Sequence, residues 1–239
     1  MAFALLNAFV WAHSHDFSAD SNELSLDMTA AALDANTFGS EWRQMVSGVK
    51  SSTLNVAGYW EAGADSVDAR AFADFAVVNR AVTIGPSDVE GDPAYIFQAA
   101  EYTYSLGGAY GDVMPFSLTA QGTDPYGVVK GRVAAAKQLV EATGPVGAAV
   151  ELGAVTAGKH LYGTLHVFGA PGTTITVQVQ SDVDADFADP TTRATIGPLT
   201  TAGGVWVPRV STVITDTFYR LNVSALTGAF TIAGALAVR

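Results

Sequence analysis

The sequence predicts a mainly β chain with a single helix, and three observations carry that prediction. Short runs rich in Val, Thr and Ile recur along the chain, several with apolar and polar residues alternating at period two. Clusters of Gly, Pro, Asp and Ser punctuate them, as at 85–93 (GPSDVEGDP) and 122–127 (GTDPYG). Only Asp65–Asn79 combines helical spacing with a capping residue.

Taken in order, Asn22–Met28 (NELSLDM) alternates and reads as a half-buried strand. Thr37–Gly48 (TFGSEWRQMVSG) breaks the alternation and reads as a long loop. Strand character returns over Thr53–Trp60, with Leu54, Val56 and Trp60 on one face. In the helix, Asp65 is the expected cap and Asp68 sits near the positive end of the dipole. Phe72 and Phe75, with Val67 or Ala71, form the stripe expected to face the core. Further strands are expected at Arg80–Ile84, Ala94–Tyr104, Val113–Ala120 and Val128–Ala135. Glu141–Gly158 is rich in Gly and Ala and reads as a linker or docking strand. Beyond it, Leu161–Phe168, Thr173–Gln180, Val205–Val213, Phe218–Val223 and Ala229–Val238 read as strands with no helix among them. That pattern fits an all-β sandwich, immunoglobulin-like or jelly-roll-like. The expected division is a first domain over 1–140, a linker over 141–158 and a C-terminal sandwich over 159–239.

Of the 239 residues, 49% are hydrophobic and only 15% charged, so a sizeable core is expected. A surface so poor in charge suits a chain whose neighbours cover it. Residues 1–150 hold 17 acidic and 7 basic residues, whereas 151–239 hold 6 and 5. This imbalance suggests two regions that face different environments. Lys and Arg never cluster, so stable nucleic-acid binding is not expected. The absence of cysteine excludes disulfides, thiolate catalysis and Cys-ligated metals, and favours assembly in a reducing cytoplasm. The apolar start Met1–Ala12 lacks a basic n-region and is too short to span a bilayer, which needs about 20 residues. It is expected as a strand or arm packed on a neighbouring subunit, with no membrane insertion.

No chemistry assembles from the motifs. His13 and His15 share one side of a strand beside Asp16, half of a metal site, yet no further ligand has fitting spacing, and a solvated polar patch is the expectation. Asp182, Asp184, Asp186 and Asp189 resemble a calcium loop, but Phe187 and Arg193 stand where such a loop needs Gly and Glu. An acidic turn is expected there. Nucleophile-elbow, phosphate-loop and dinucleotide-binding signatures are absent from the sequence. No catalytic, cofactor or metal residue is therefore expected, and the chain reads as a structural protein and not an enzyme.

The run Leu24–Gly63 resembles the tail tube proteins of long, non-contractile-tailed bacteriophages. The likeness lies in Leu33, Asp34, Thr37, Phe38 and Gly39, then Trp42 and Arg43, a turn at Gly48, Val49 and Lys50, and a strand carrying Gly58 and Trp60. The order that follows is also similar: a helix, the strand at 94–104, and MPFSLTA at 114–120. The likeness covers about the first 135 residues.

The resemblance implies an N-terminal β-sandwich or barrel flanked by one helix. It implies six-membered rings that stack into a tube, with an acidic lumen through which DNA passes unbound. The 34–50 loop would reach the neighbouring ring, with Phe38, Trp42, Arg43, Met45 and Val46 in the contact. Tape measure, terminator and distal tail proteins would be the other partners, in a virion assembled in the host cytoplasm. The C-terminal half resembles β-domains appended to phage virion proteins, which places it outside the tube, open to host surface glycans. Trp206, Phe218 and Tyr219 form either a sugar platform there or, as the favoured reading, core. Two other readings stand beside this one, a capsid decoration or tail-fibre component and a glycan-binding β-module.

Overall fold

A computed structural model describes residues 7–38, 41–61, 63 and 66–239. Among them the chain runs β1 (Phe9–Ala12), β2 (His15–Asp16), β3 (Ser21–Asp34), β4 (Met45–Tyr59), α1 (Val67–Asp74), β5 (Arg80–Gly85), β6 (Pro93–Leu106), β7 (Pro115–Gly122) and β8 (Val129–Val140). It continues through β9 (Gly144–Glu151), β10 (Leu161–Phe168), β11 (Thr174–Asp182), β12 (Thr191–Leu199), β13 (Gly203–Val210), β14 (Phe218–Thr227) and β15 (Phe230–Val238). The protein is mainly β, and its strands pair antiparallel.

Two sheets result. A four-stranded one has the order β12-β11-β14-β9. The larger one runs β13-β10-β15-β8-β6-β5-β1-β2, with β7, β4 and β3 branching from β6. The branch exists because β6 is long and changes partner along its length. Pro93–Ile96 pairs with β8, whereas Ala99–Leu106 pairs with β7, and the register shifts between Glu101 and Thr103. A bulge of this kind bends the strand, which lets β3, β4 and β7 fold over β1, β5 and β6 as a second layer. Val10, Phe17, Leu54, Val56, Phe97 and Phe116 fill the space between.

The sheet formed by β8, β15 and β10 is covered on both faces. One face packs on the four-stranded sheet through residues such as Leu165, Ile175, Leu221 and Ile232. The other meets Phe9, Trp11, Ile96, Tyr162 and Phe168. Burial on both sides explains why β10 is buried along its whole length and β15 reads as a continuous apolar run. In β15, Ile232 and Leu236 fill the first core, and Ala233, Ala235 and Ala237 make room for the rings in the second. The stretch read as a linker or docking strand, 141–158, contributes β9, which pairs with β14 and buries Val146 and Val150.

A buried polar chain ties the first strands to β10. His166 Nδ1 lies 2.9 Å from the carbonyl oxygen of His13, so that nitrogen carries the proton and donates. Its Nε2, 2.9 Å from the Thr83 hydroxyl, then accepts, and Thr83 lies 2.7 Å from Thr164. Burial pushes the His166 pKa down to about 4, which keeps the ring neutral. His13 in turn accepts the Gly204 amide through Nδ1 at 2.9 Å.

Several expectations need correction. The loop expected over 37–48 is shorter at its end: β3 continues to Asp34 and β4 begins at Met45, so Met45–Gly48 is strand. Gly48–Lys50 likewise lies inside β4, at a register shift opposite Ala30–Ala32, and makes no turn. The helix spans Val67–Asp74 only, and its buried stripe is Val67, Ala71 and Asp74 at i, i+4 and i+7. That rotation leaves Phe72 and Phe75 in solvent. Asp65 lies outside the described residues, and Ser66 stands at the N-cap. Of the apolar start, Phe9–Ala12 forms β1 on β5 of its own chain, with Phe9 and Trp11 in one core and Val10 in another. Residues 1–6 lie outside the described residues. β12 had no counterpart among the expected strands, because Thr, Gly and Pro in TTRATIGPL mask its alternation.

Candidate interaction surface

The region to which the sequence assigned intersubunit contact is a two-stranded ribbon. β4 pairs with β7 only from Thr53 to Tyr59, whereas its pairing with β3 extends to Met45. Residues Met45–Ser52 therefore pair with β3 alone and project beyond the sheet by roughly 25 Å at about 3.3 Å per residue. The turn is held by side chains that imitate backbone. Asp34 Oδ1 accepts the Asn36 amide at 2.9 Å, Asn36 Oδ1 accepts the Gln44 amide at 2.6 Å, and Ala35 N–H donates to the Gln44 carbonyl at 3.0 Å. Arg43 Nε lies 3.4 Å from Asp34 Oδ2 on this exposed tip.

All five residues expected in the contact sit on this ribbon. Phe38 is fully exposed and Trp42 is 84% exposed. Met45 opens β4 opposite Asp34, and Val46 stands opposite Leu33. Met28, Leu33 and Val49, which were not among the residues expected in the contact, add further exposed apolar area to the ribbon. Bare apolar side chains on a ribbon with unpaired edges are an aggregation hazard unless a partner covers them.

A second apolar surface lies at the other end of β4. The turn between β6 and β7 sits beside Tyr59, as Tyr59 pairs with Pro115 and the Trp60 amide donates to the Met114 carbonyl at 2.8 Å. Leu106, Tyr110, Val113 and Met114 are exposed there. α1 runs along the outer half of β6, its Asp68 accepting the Tyr104 hydroxyl at 3.0 Å, and Phe72 and Phe75 face solvent. The early β-strand signal of 113–120 was legible, but the exposure of its turn was not, since exposed and buried apolar residues look alike in a single sequence.

The remaining candidates resolve as structure. His13 and His15 are not a solvated patch. Both are half-buried and partnered, His15 through Asp20 at 3.2 Å, and burial lowers both pKa values. Asp16 pairs with Lys137 at 2.8 Å. No grouping of three metal-ligating side chains occurs among the described residues. Asp182 accepts the amides of Val183, Asp184 and Asp189 and so builds the acidic turn between β11 and β12. Tyr219 is buried, its hydroxyl donating to the Asp216 and Gly153 carbonyls, and belongs to the core. Trp206 packs against Tyr162 with ring centroids 6.1 Å apart.

No family model and no curated protein matches the chain. Among solved structures, a chain from the tail of an empty gene transfer agent particle with C6 symmetry superposes at a TM-score of 0.38. It shares 15% identity over 46% of this chain and 82% of that one. The Dit protein of phage SPP1, described as a paradigm of the hub adsorption apparatus, superposes at 0.38 with 8% identity, over 97% of this chain and 99% of its own. A chain of the phage P2 baseplate in its activated conformation with Ca gives 0.33 at 9% identity over 96% and 98%. TM-scores of this size fall short of a shared fold, and the reading below rests on this chain's own sequence and geometry.

Proposed function

We propose that the chain is a non-enzymatic structural component of a bacteriophage tail and, within that class, a subunit of the tail tube. Copies form rings, six to a ring, and the rings stack through the β3–β4 ribbon. The observation that carries this reading is the pair of unlike apolar surfaces at opposite ends of one sheet. The ribbon tip with Phe38 and Trp42 lies at one end, and the β6–β7 turn with Tyr110 and Val113 at the other. A contact between two different surfaces of identical chains is heterologous, and such contacts propagate as rings or filaments. The likeness of Leu24–Gly63 to tail tube proteins supports the choice among filaments.

The other parts of the chain take roles consistent with that reading. Acidic excess in residues 1–150 would keep passing DNA from adhering to the lumen. The nearly neutral C-terminal region, 159–239, would lie outside the tube, within reach of host surface glycans. Tape measure, terminator and distal tail proteins would meet the tube at its core and ends, in a virion assembled in the host cytoplasm.

Negative-stain electron microscopy with mass photometry at rising concentration tests the reading. Hollow stacked rings are expected, and the double variant Phe38→Asp, Trp42→Asp should reduce them to single rings or monomers. Discrete trimers or spikes would instead indicate a decoration or fibre protein. A monomer at every concentration that binds a glycan array would indicate a glycan-binding module.

A further inference from the structure

Where α1 ends, two buried carboxyl groups meet one guanidinium. Asp74, the last residue of α1, pairs with Arg80 of β5 at 2.6 Å. Glu101 of β6 is 8% exposed, and its Oε2 is buried with no hydrogen-bond partner. Both acids, with His13 and Arg80, line a narrow, mostly apolar cavity of about 20 Å³. That is room on the order of one water, too little to solvate a second carboxylate. Glu101 is also where the chain leaving α1 is fastened. Its carbonyl accepts the Ala76 amide at 2.9 Å, and Phe75 bridges to it.

We propose that Glu101 is a proton-operated latch for the α1 segment, residues 66–78. Protonated, its neutral carboxyl lies quietly beside the Asp74–Arg80 pair and the segment stays docked. Ionised, it sets two carboxylates against one arginine in a cavity too small to solvate both, and the segment lifts from β6. Because the segment carries Phe72 and Phe75 in solvent, the latch controls how that apolar surface is presented.

The charged surroundings fit the scheme. On α1, Asp74 faces Glu101 and Arg70 lies farther along the helix; on β5 there is Arg80; in the β1–β2 turn there is His13. On β6 itself, Tyr104 lies beyond Glu101 and is bonded to Asp68 of α1. β7 contributes only Ala120 directly opposite. Burial, then the nearby Asp74 charge, lifts the Glu101 pKa to about 8, with Arg80 opposing. The switch therefore falls at mildly alkaline pH.

Hydrogen–deuterium exchange of the intact protein at pH 7 and pH 9, corrected for the intrinsic rate, reads the latch directly. Peptides over 66–78 should lose protection by about tenfold across that range in the wild type. Glu101→Gln, which imitates the protonated carboxyl, should abolish that loss. Asp74→Asn should abolish it too, by leaving Arg80 free to pair with ionised Glu101. Equal protection at both pH values in the wild type, or an undiminished loss in both variants, would overturn the proposal. If neither variant folds, NMR of the wild type decides: amide resonances over 66–78 that move with the same midpoint as the Glu101 carboxyl support the latch, and amides that stay unchanged through that titration overturn it.

Discussion

At the scale of single residues, the protein carries two titrations of opposite sign. His166 is neutral when folded, with its pKa lowered to about 4 from an ordinary 6.5. Below pH 6.5 the unfolded chain takes up a proton that the folded chain refuses, so stability falls as pH drops toward 4. Chemical denaturation across that range should show a loss of about 3 kcal/mol attributable to this ring, and His166→Gln should flatten the slope. Glu101 works the other way, because its raised pKa makes the folded state the stronger proton binder. Its contribution is complete below about pH 4.5 and is lost as pH rises toward 8. A third residue, Gly58, is needed for space: a Cβ there would overlap the Asp20 carbonyl and the Ser21 backbone. Gly58→Ala should lower the thermal midpoint by several degrees, because relief would require the β3–β4 pairing to shift. The sequence displayed His166 as a strand residue, but Thr83 and His13 stand 83 and 153 positions away. Only the folded sheet brings them together.

At the scale of elements, alternation was legible wherever one face is buried and the other wet. β11 and β14, where burial alternates, begin within a residue of where the pattern placed them. The ribbon escaped because both of its faces are exposed near the tip, so no core imprints a period of two on residues 30–50. The helix was legible as a helix, but the phase of its buried stripe was not. Ala71 and Asp74 supply a small, polar inner face that hydrophobicity alone would not choose. Two predictions belong here. Leu33→Asp on the ribbon should change folding stability by no more than about 0.5 kcal/mol in urea titration, while weakening ring stacking in the same microscopy. Ala71→Asp should cost several kcal/mol by burying an unpaired charge, whereas Phe72→Ser should be near neutral.

At the scale of the whole molecule, β8, β15 and β10 serve as the middle layer of two cores, so neither core exists without them. Far-ultraviolet circular dichroism and tryptophan fluorescence should therefore report one coincident unfolding transition. Two separated transitions would show that the halves fold independently. The net charge of −11 adds a repulsion between copies that salt screens, so the concentration needed for assembly should fall as sodium chloride rises. Composition and charge suggested two regions; the layer of β8, β15 and β10 that joins the cores was not legible, since strand order is a property of pairing. That layer also governs synthesis. β15 inserts between β8 and β10, yet it leaves the ribosome about 90 residues after β8 is complete. At roughly 5–20 residues per second, β8 waits some 5–18 s with an open edge and bare valines. During that interval nascent chains on one polysome can pair with each other, so the yield of native subunits depends on translation speed and on chaperones that hold this edge.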